Sequence, residues 1–198
     1  MKHQTLNSFN TTLELAVSQI NSSLNETQKS QFAQHWQLVK LWNVRVNLTA
    51  ILDDVEAAWL HYRDSLEGAV LLPKGEIIDF GSGAGFPGIP LAIALTQNNF
   101  TLLEPRLKRV SFLETCIARL GITNTRVICG ATTAIPDKQY DAGVTRATFS
   151  SVDELLACKK WILPNGILLA YRSEISEKAL KVHSYNLLNE QQRYIEIY

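Results

Sequence analysis

The sequence predicts an α/β fold: a mostly parallel sheet with helices on both faces, preceded by N-terminal helices and closed by an antiparallel hairpin. Three observations predict it. The first is the stretch Ile77 to Pro90, IIDFGSGAGFPGIP, in which a short apolar run ends in Asp79 and Phe80 and is followed by glycines at 81, 83, 85 and 88. An apolar helix-like segment, LAIAL, comes next, so the order is strand, glycine-rich turn, helix. The second is that strand-like and helix-like segments alternate from Glu76 onward. The third is that the first seventy residues read as helices, broken by one irregular segment.

Each element has its own signal. Leu13, Ala16, Val17 and Ile20 form one apolar stripe. Asn25 with Gln28 marks a helix start, and Phe32, Trp36, Val39 and Leu41 follow near helical spacing. Asp53 with Glu56 is a second cap, before Ala57, Trp59, Leu60 and Leu66. The segment NVRVNLTAI, residues 43–51, reads as irregular, and Pro73-Lys74-Gly75 closes the helical part. A helical cap is therefore expected over 1–72 and a ligand-binding domain over 73–198, together one compact unit. Strands are expected at 76–80, 100–104, 125–129, 140–145 and 166–172. Helices are expected at about 88–97, 106–120 and 151–162. Gly121 ends one helix, Ser151 with Glu154 opens another, and Pro164-Asn165-Gly166 turns into the fifth strand. KVHSYNLL and RYIEIY, separated by NEQQ, form the terminal hairpin.

Composition bounds the function. At 198 residues, 46% hydrophobic and 19% charged, the chain reads as a globular protein with one sizeable core. No apolar run approaches the ~18 residues of a membrane span, and the N-terminus lacks the apolar centre of a signal peptide. Cys116, Cys129 and Cys158 form no CxxC pair, which suits buried thiols in a reducing cytosol. Neither these nor His3, His35, His61 and His183 suggest a metal site. Lys plus Arg equals Asp plus Glu, 19 each, so any contact with nucleic acid must come from a local patch.

The glycine loop implies a ligand but does not name it. Glycines permit positive φ and close backbone approach, and free amides at a helix start attract an anionic group. Gly83-x-Gly85-x-x-Gly88 fits a dinucleotide fingerprint, with Glu104 about where a ribose-binding acid belongs. S-adenosyl-L-methionine (SAM) fits as well, with Glu104 on the ribose. Asp79 at the strand end suits a cationic ammonium or sulfonium better than a pyrophosphate, which favours SAM while leaving a nicotinamide-dependent oxidoreductase open.

Further motifs carry a resemblance. Asn47-Leu48-Thr49, HYRDSL (61–66), IIDFGSGAGFPGIP, LLEPRLKRVSFLE (102–114) and YDAGVTRA (140–147) occur in this order. Together they resemble the bacterial guanine-N7 methyltransferases of small-subunit ribosomal RNA, the glucose-inhibited division protein B family, from about Asn43 to Arg193. The resemblance implies a Rossmann-like class I SAM-dependent methyltransferase fold, a cytoplasmic monomer, and small-subunit ribosomal RNA or the ribosomal subunit as partner, with no membrane and no metal. It places Gly81 and Phe86 in the SAM loop and Glu104 on the ribose. Thr132 and Thr133 border the adenine. Arg146 stands at the cofactor and substrate side, and Asn47 in the motif before the domain. Arg146 and Asn47 are the implied catalytic residues. Asp79, Gly83 and Gly85 complete the expected cofactor set. Arg172 and Arg193 are expected to face RNA, joined by Arg106, Lys108 and Arg109 as a basic patch. Two departures stand out. Gly130-Ala131-Thr132-Thr133-Ala134 is uncharged where the family has an arginine and an acidic pair, and Arg172 stands where it usually has a lysine. A SAM-binding protein without turnover, or a methyltransferase with another acceptor, are the alternatives these departures leave.

The chemistry fits the residue types. Guanine N7 is nucleophilic in the neutral base, so its methylation requires placement against the methyl group and no general base. An arginine suits guanine's O6 and N7 edge, and the base must leave its stack to be reached. His61 reads as a helix residue packed beneath the loop and receives no role. Trp36, Trp42, Trp59 and Trp161 read as core.

Overall fold

The structure, a computed structural model, describes residues 2–19, 24–136 and 138–198. Ile20, the expected last member of the first apolar stripe, lies outside them, as does the side chain of His3. Helix α1 covers Lys2–Ser18 and α2 Glu26–Val46. The start of α2 is a full capping box: Asn25 Oδ1 accepts from the Gln28 amide at 2.9 Å and Gln28 Oε1 accepts from the Asn25 amide at 3.0 Å, which satisfies two donors the helix cannot. The expected irregular segment begins later than its sequence suggests, because residues 43–46 stay helical and Asn47 ends α2 with φ 51. Asn43 then folds the chain back: its Oδ1 accepts from the Leu48 and Thr49 amides, and its Nδ2 donates to Thr49 O.

Asp53 caps the next helix by accepting from the Val55 and Glu56 amides, both at 2.9 Å. This helix is not uniform. It begins as α3 (Asp54–Ala57), widens into a π-helical stretch over Ala58–Arg63, and resumes as α4 (Asp64–Glu67). Such wide turns shift the side chains that follow them relative to an α-helix.

The sheet holds seven strands in the order β3-β2-β1-β4-β5-β7-β6. Strands β1 (Glu76–Phe80), β2 (Asn99–Glu104), β3 (Thr125–Cys129), β4 (Tyr140–Arg146) and β5 (Ile162–Arg172) are parallel. Strands β6 (Lys181–Asn186) and β7 (Gln192–Ile197) form the expected hairpin, with β7 antiparallel to β5. Helices α5 (Gly88–Ala94), α6 (Leu107–Leu120) and α7 (Val152–Leu156) connect the parallel strands. A 3₁₀ turn over Ala157–Trp161 finishes the expected last helix, and β5 begins at Ile162, ahead of the Pro164-Asn165-Gly166 turn. A register shift between Tyr140 and Ala142 absorbs that turn.

Strand alternation divides the core. Ile77, Leu102, Val144 and Leu169 face a cluster that also takes Phe9, Leu13, Phe32, Trp36 and Tyr62 from the N-terminal helices. Ile78, Phe80, Leu103 and Leu168 face the other side, against Leu155, Cys158 and Trp161. Each fully buried side chain of this size contributes about 1.5–3 kcal/mol. The N-terminal helices thus share one core with the sheet. Trp36, Trp59 and Trp161 are buried, and Trp42 packs on the core from its edge. The strand order reverses between β1 and β4, where an α/β sheet opens a crevice at its carboxyl ends.

Candidate functional site

A cavity of about 700 Å³ occupies that crevice. Its floor is the turn after β1. Gly81, Gly83 and Gly85 all have positive φ, of 71°, 57° and 87°, which L-residues with side chains rarely adopt. At Gly83 a Cβ would meet nothing closer than ordinary van der Waals contact, with Arg109 Nη1 and the Gly81 carbonyl at 3.7 Å. At Gly85 a Cβ would lie 2.5 Å from Ile89 Cδ1. Gly83 therefore leaves room for a ligand over the loop, whereas Gly85 lets the loop close on α5 from behind.

Glu104 ends β2 and lines the cavity. Its Oε2 accepts from the Gly83 amide and its Oε1 from the Arg106 amide, each at 2.9 Å. The carboxylate is thus fixed by backbone donors, with further lone pairs directed at whatever fills the site. Asp79 lies deeper and is fully buried. Its Oδ2 accepts from the Gly88 amide at 3.1 Å, and its Oδ1 has no partner among the described residues. Burial raises its pKa from the usual carboxylate range to about 7, against the pull of Ser82 and the Gly88 amide. A buried, half-partnered carboxylate beneath a glycine loop fits a ligand that carries an ammonium group.

Arg146, the last residue of β4, stands across the cavity. Its Nη1 donates to Leu60 O at 3.0 Å and to Asp64 Oδ2 at 2.8 Å, and its Nη2 lies 3.2 Å from His61 Nδ1. The guanidinium sits over the Phe86 ring, 5.2 Å from its centroid. His61 stacks on the same ring at 4.4 Å and 14°, and its Nε2 lies 2.8 Å from Thr49 Oγ1. Since an arginine can only donate, His61 Nδ1 accepts, and Nε2 carries the proton that goes to Thr49. Burial, with Arg146 beside it, holds the His61 imidazole well below its ordinary pKa and so neutral. His35 beneath the loop is also neutral, its pKa lowered to about 3 by burial, and donates to Ala84 O at 3.1 Å. Asp64 Oδ1 accepts from the Tyr185 hydroxyl at 2.7 Å, which ties the terminal hairpin to the same cluster.

Arg106, Arg109, Arg172 and Arg193 also line the cavity. Arg109 donates to Asn47 O at 3.3 Å. Arg172 Nε lies 3.5 Å from the buried Glu196, and its Nη2 has no hydrogen-bond partner among the described residues.

The structure brings most of the expected residues together and leaves some apart. Gly81, Gly83, Phe86, Glu104, Arg106, Arg109, Arg146, Arg172 and Arg193 line one cavity; Asp79 and Gly85 support its floor from below. Asn47 is exposed and meets the cavity through its backbone carbonyl on Arg109. Lys108 is exposed on α6, away from the cavity lining. Thr132 and Thr133 lie outside the lining too; their carbonyls accept from Trp161 Nε1 at 3.0 Å and Lys160 Nζ at 2.9 Å. Sequence reasoning gave no role to His61, Asp64 and Thr49. They lie in HYRDSL and Asn47-Leu48-Thr49, whose spacing alone does not show that they meet Arg146. Among the described residues no helix is long and apolar enough to cross a membrane, and no group of three or more His, Cys, Asp or Glu could hold a metal ion.

Comparison with known proteins gives a consistent result. A family model described as GidB, rRNA small subunit methyltransferase G, matches residues 28–197. The ribosomal RNA small subunit methyltransferase G of Desulforamulus reducens is 36% identical over 155 residues, 77% of this chain and 62% of that protein. The protein of the same name from Actinobacillus succinogenes is 33% identical over 170 residues, 85% of this chain and 81% of that protein. Among solved structures, a SAM-dependent methyltransferase from Aquifex aeolicus aligns with TM-score 0.53 at 16% identity, over 82% of this chain and 96% of that one. Precorrin-6y C5,15-methyltransferase from Geobacter metallireducens aligns with TM-score 0.54 at 13% identity, over 76% and 89%. The structural matches concern the fold, which is that of class I SAM-dependent methyltransferases.

Proposed function

The chain belongs to the rRNA small subunit methyltransferase G family, and from that premise we propose that it methylates N7 of a guanine in small-subunit (16S) ribosomal RNA, with SAM as donor. When bound, SAM supplies a methyl group on a sulfonium, which the acceptor's lone pair takes as the sulfur–carbon bond breaks. Glu104 would hold the ribose hydroxyls, the Gly81–Gly83 turn would pass beneath the amino-acid end, and Asp79 would face its ammonium. The observation that carries the reading is that the cavity is furnished to position an acceptor and not to deprotonate it. Asp64 is tied up by Arg146 and Tyr185, Glu104 is held by the Gly83 and Arg106 amides with its remaining lone pairs for the ribose, Asp79 lies beneath the floor where the ammonium would sit, and both His61 nitrogens are engaged. The Tyr171 hydroxyl donates to Ser65 O, and burial holds its pKa well above the ordinary value. Hydroxyl and amine acceptors must lose a proton; a neutral ring nitrogen such as guanine N7 need not.

Arg146 takes a narrower role here than a fork on the O6 and N7 edge. A hydrogen bond to N7 would occupy the lone pair that must attack. Arg146 would therefore hold O6 or a neighbouring phosphate and leave N7 free. Of its five N–H donors, three are spoken for by Leu60, Asp64 and His61, which leaves two for this contact. Arg106, Arg109, Arg172 and Arg193 would meet phosphates at the rim, and the protein would work as a cytoplasmic monomer. The test is transfer of a labelled methyl group to small-subunit ribosomal RNA, offered both naked and in the assembled subunit, with the modified base mapped. Labelled guanine N7 is the expected outcome; label on a hydroxyl, or on no RNA, overturns the reading.

A further inference from the structure

We propose that His61 is a positioning residue for methyl transfer, fixing through its Nδ1 the plane and reach of the Arg146 guanidinium. The proposal rests on the reading above for the reaction, and on the following geometry for the residue.

Arg146 is half-buried at the end of a sheet strand, and its donors could turn in several directions. Four contacts hold it: Leu60 O, Asp64 Oδ2, His61 Nδ1 and the Phe86 face. Asp64 neutralises its charge. His61 is the contact on the second terminal nitrogen, and a planar guanidinium held at both terminal nitrogens can no longer swing about its Cδ–Nε bond. The imidazole is itself held at its face and at Nε2: Phe86 stacks on it and Thr49 Oγ1 accepts the Nε2 proton, while Ser65 Oγ donates to the His61 backbone carbonyl at 2.5 Å. Thr49 Oγ1 is in turn fixed by accepting from the Ile51 amide at 3.0 Å. The π-helical stretch over 58–63 makes this possible. It carries both His61 and Leu60 and presents the Leu60 carbonyl and the His61 ring to the same guanidinium. Four separate parts of the sequence, Thr49, His61, Phe86 and Arg146, thus converge on one rigid unit facing the cavity. Charge is no part of the function of His61, because an imidazolium would place a donor against Arg146.

Two substitutions separate positioning from packing. His61→Phe keeps a ring against Phe86 and removes the acceptor. His61→Asn sacrifices the ring and keeps an acceptor, Oδ1, near the position of Nδ1. Positioning predicts that kcat falls about tenfold or more in His61→Phe, that His61→Asn recovers a substantial part of it, and that SAM affinity by calorimetry stays within about twofold in both. Thr49→Val, which leaves the ring stack and removes the Nε2 partner, is expected to lower kcat in the same sense; combined with His61→Phe it should add little. A packing role predicts the reverse order, with His61→Phe the more active variant, and that result overturns the proposal. So does a neutral-pH titration in the kcat profile of the unmodified protein that His61→Asn abolishes, since His61 would then exchange protons. If the unmodified protein transfers no methyl group to ribosomal RNA, the reaction reading fails first, and the two failures are distinct.

Discussion

Asp79 shows how a single residue's environment becomes measurable. Its folded-state pKa is raised to about 7 by burial, whereas an unfolded aspartate titrates near about 4. Between these values the unfolded chain has lost a proton that the folded chain keeps. Stability from this group is therefore complete below pH ~4 and is lost as pH rises through about 7. The buried histidines His35 and His61 act with the opposite sign, since their depressed pKa values cost stability as pH falls below about 6.5. A bare melting curve mixes the two. The difference between Asp79→Asn and the unmodified protein isolates the aspartate: the variant should gain in relative melting temperature from pH 4 to pH 7, and a flat difference would contradict the assignment. Glu104 is probed by Glu104→Gln, which keeps the shape but turns an acceptor into a donor facing a backbone amide. SAM affinity by titration calorimetry should fall by about 1.5–3 kcal/mol; unchanged affinity removes Glu104 from the ribose. Both carboxylates were legible in the sequence, because each ends a strand next to the glycine turn. The partners of Arg146 were not. Asp64 and His61 lie more than eighty residues away in sequence, and no local pattern announces a contact of that range.

At the scale of elements, local chemistry was the more readable the closer it sat to a helix end. The Asn25–Gln28 and Asp53 caps both form as their spacing suggests, because a cap is decided within four residues. Asn25→Ala should cost about 1 kcal/mol, read as a lower urea midpoint with an unchanged slope. A loss confined to noise would mean that α2 is held by its packing alone. Three features escaped local reading. Helix α2 continues through residues 43–46, because Asn43 satisfies the chain reversal with its own side chain. Within the π-helical stretch Tyr62 and His61 meet Phe86 from across the fold, contacts no local pattern announces. Strand β5 begins before its turn, because the parallel pairing with β4 resumes across a register shift.

For the molecule as a whole, the alternation of strands and helices was enough to predict the class of fold, and two strand-like runs around NEQQ the terminal hairpin. The order of strands, which puts β1 beside β4 and opens the crevice there, depends on how the crossovers pack and was not legible. The charge balance has a similar whole-molecule meaning. Positive and negative groups cancel over 198 residues, so attraction to RNA would come from a local patch, the four rim arginines Arg106, Arg109, Arg172 and Arg193. Each phosphate contact on a single strand contributes a salt slope of about −0.7. The dependence of log affinity on log salt should then be no steeper than about −3, measured by filter binding across a salt series. Arg172→Ala with Arg193→Ala should make it shallower and weaken binding. A much steeper slope would mean that RNA spreads over a wider surface than the cavity rim.

The sheet register places one more atom usefully. Cys129 closes β3 directly opposite Glu104 of β2 and is exposed, whereas Cys116 and Cys158 are buried, with the Cys158 thiol pushed up to about 11. A maleimide dye therefore finds a single address on the folded protein, one strand away from the carboxylate assigned to the ribose. Its emission would follow ligand arrival in real time, and delayed modification of the other two thiols would time the opening of the interior, without any engineered label.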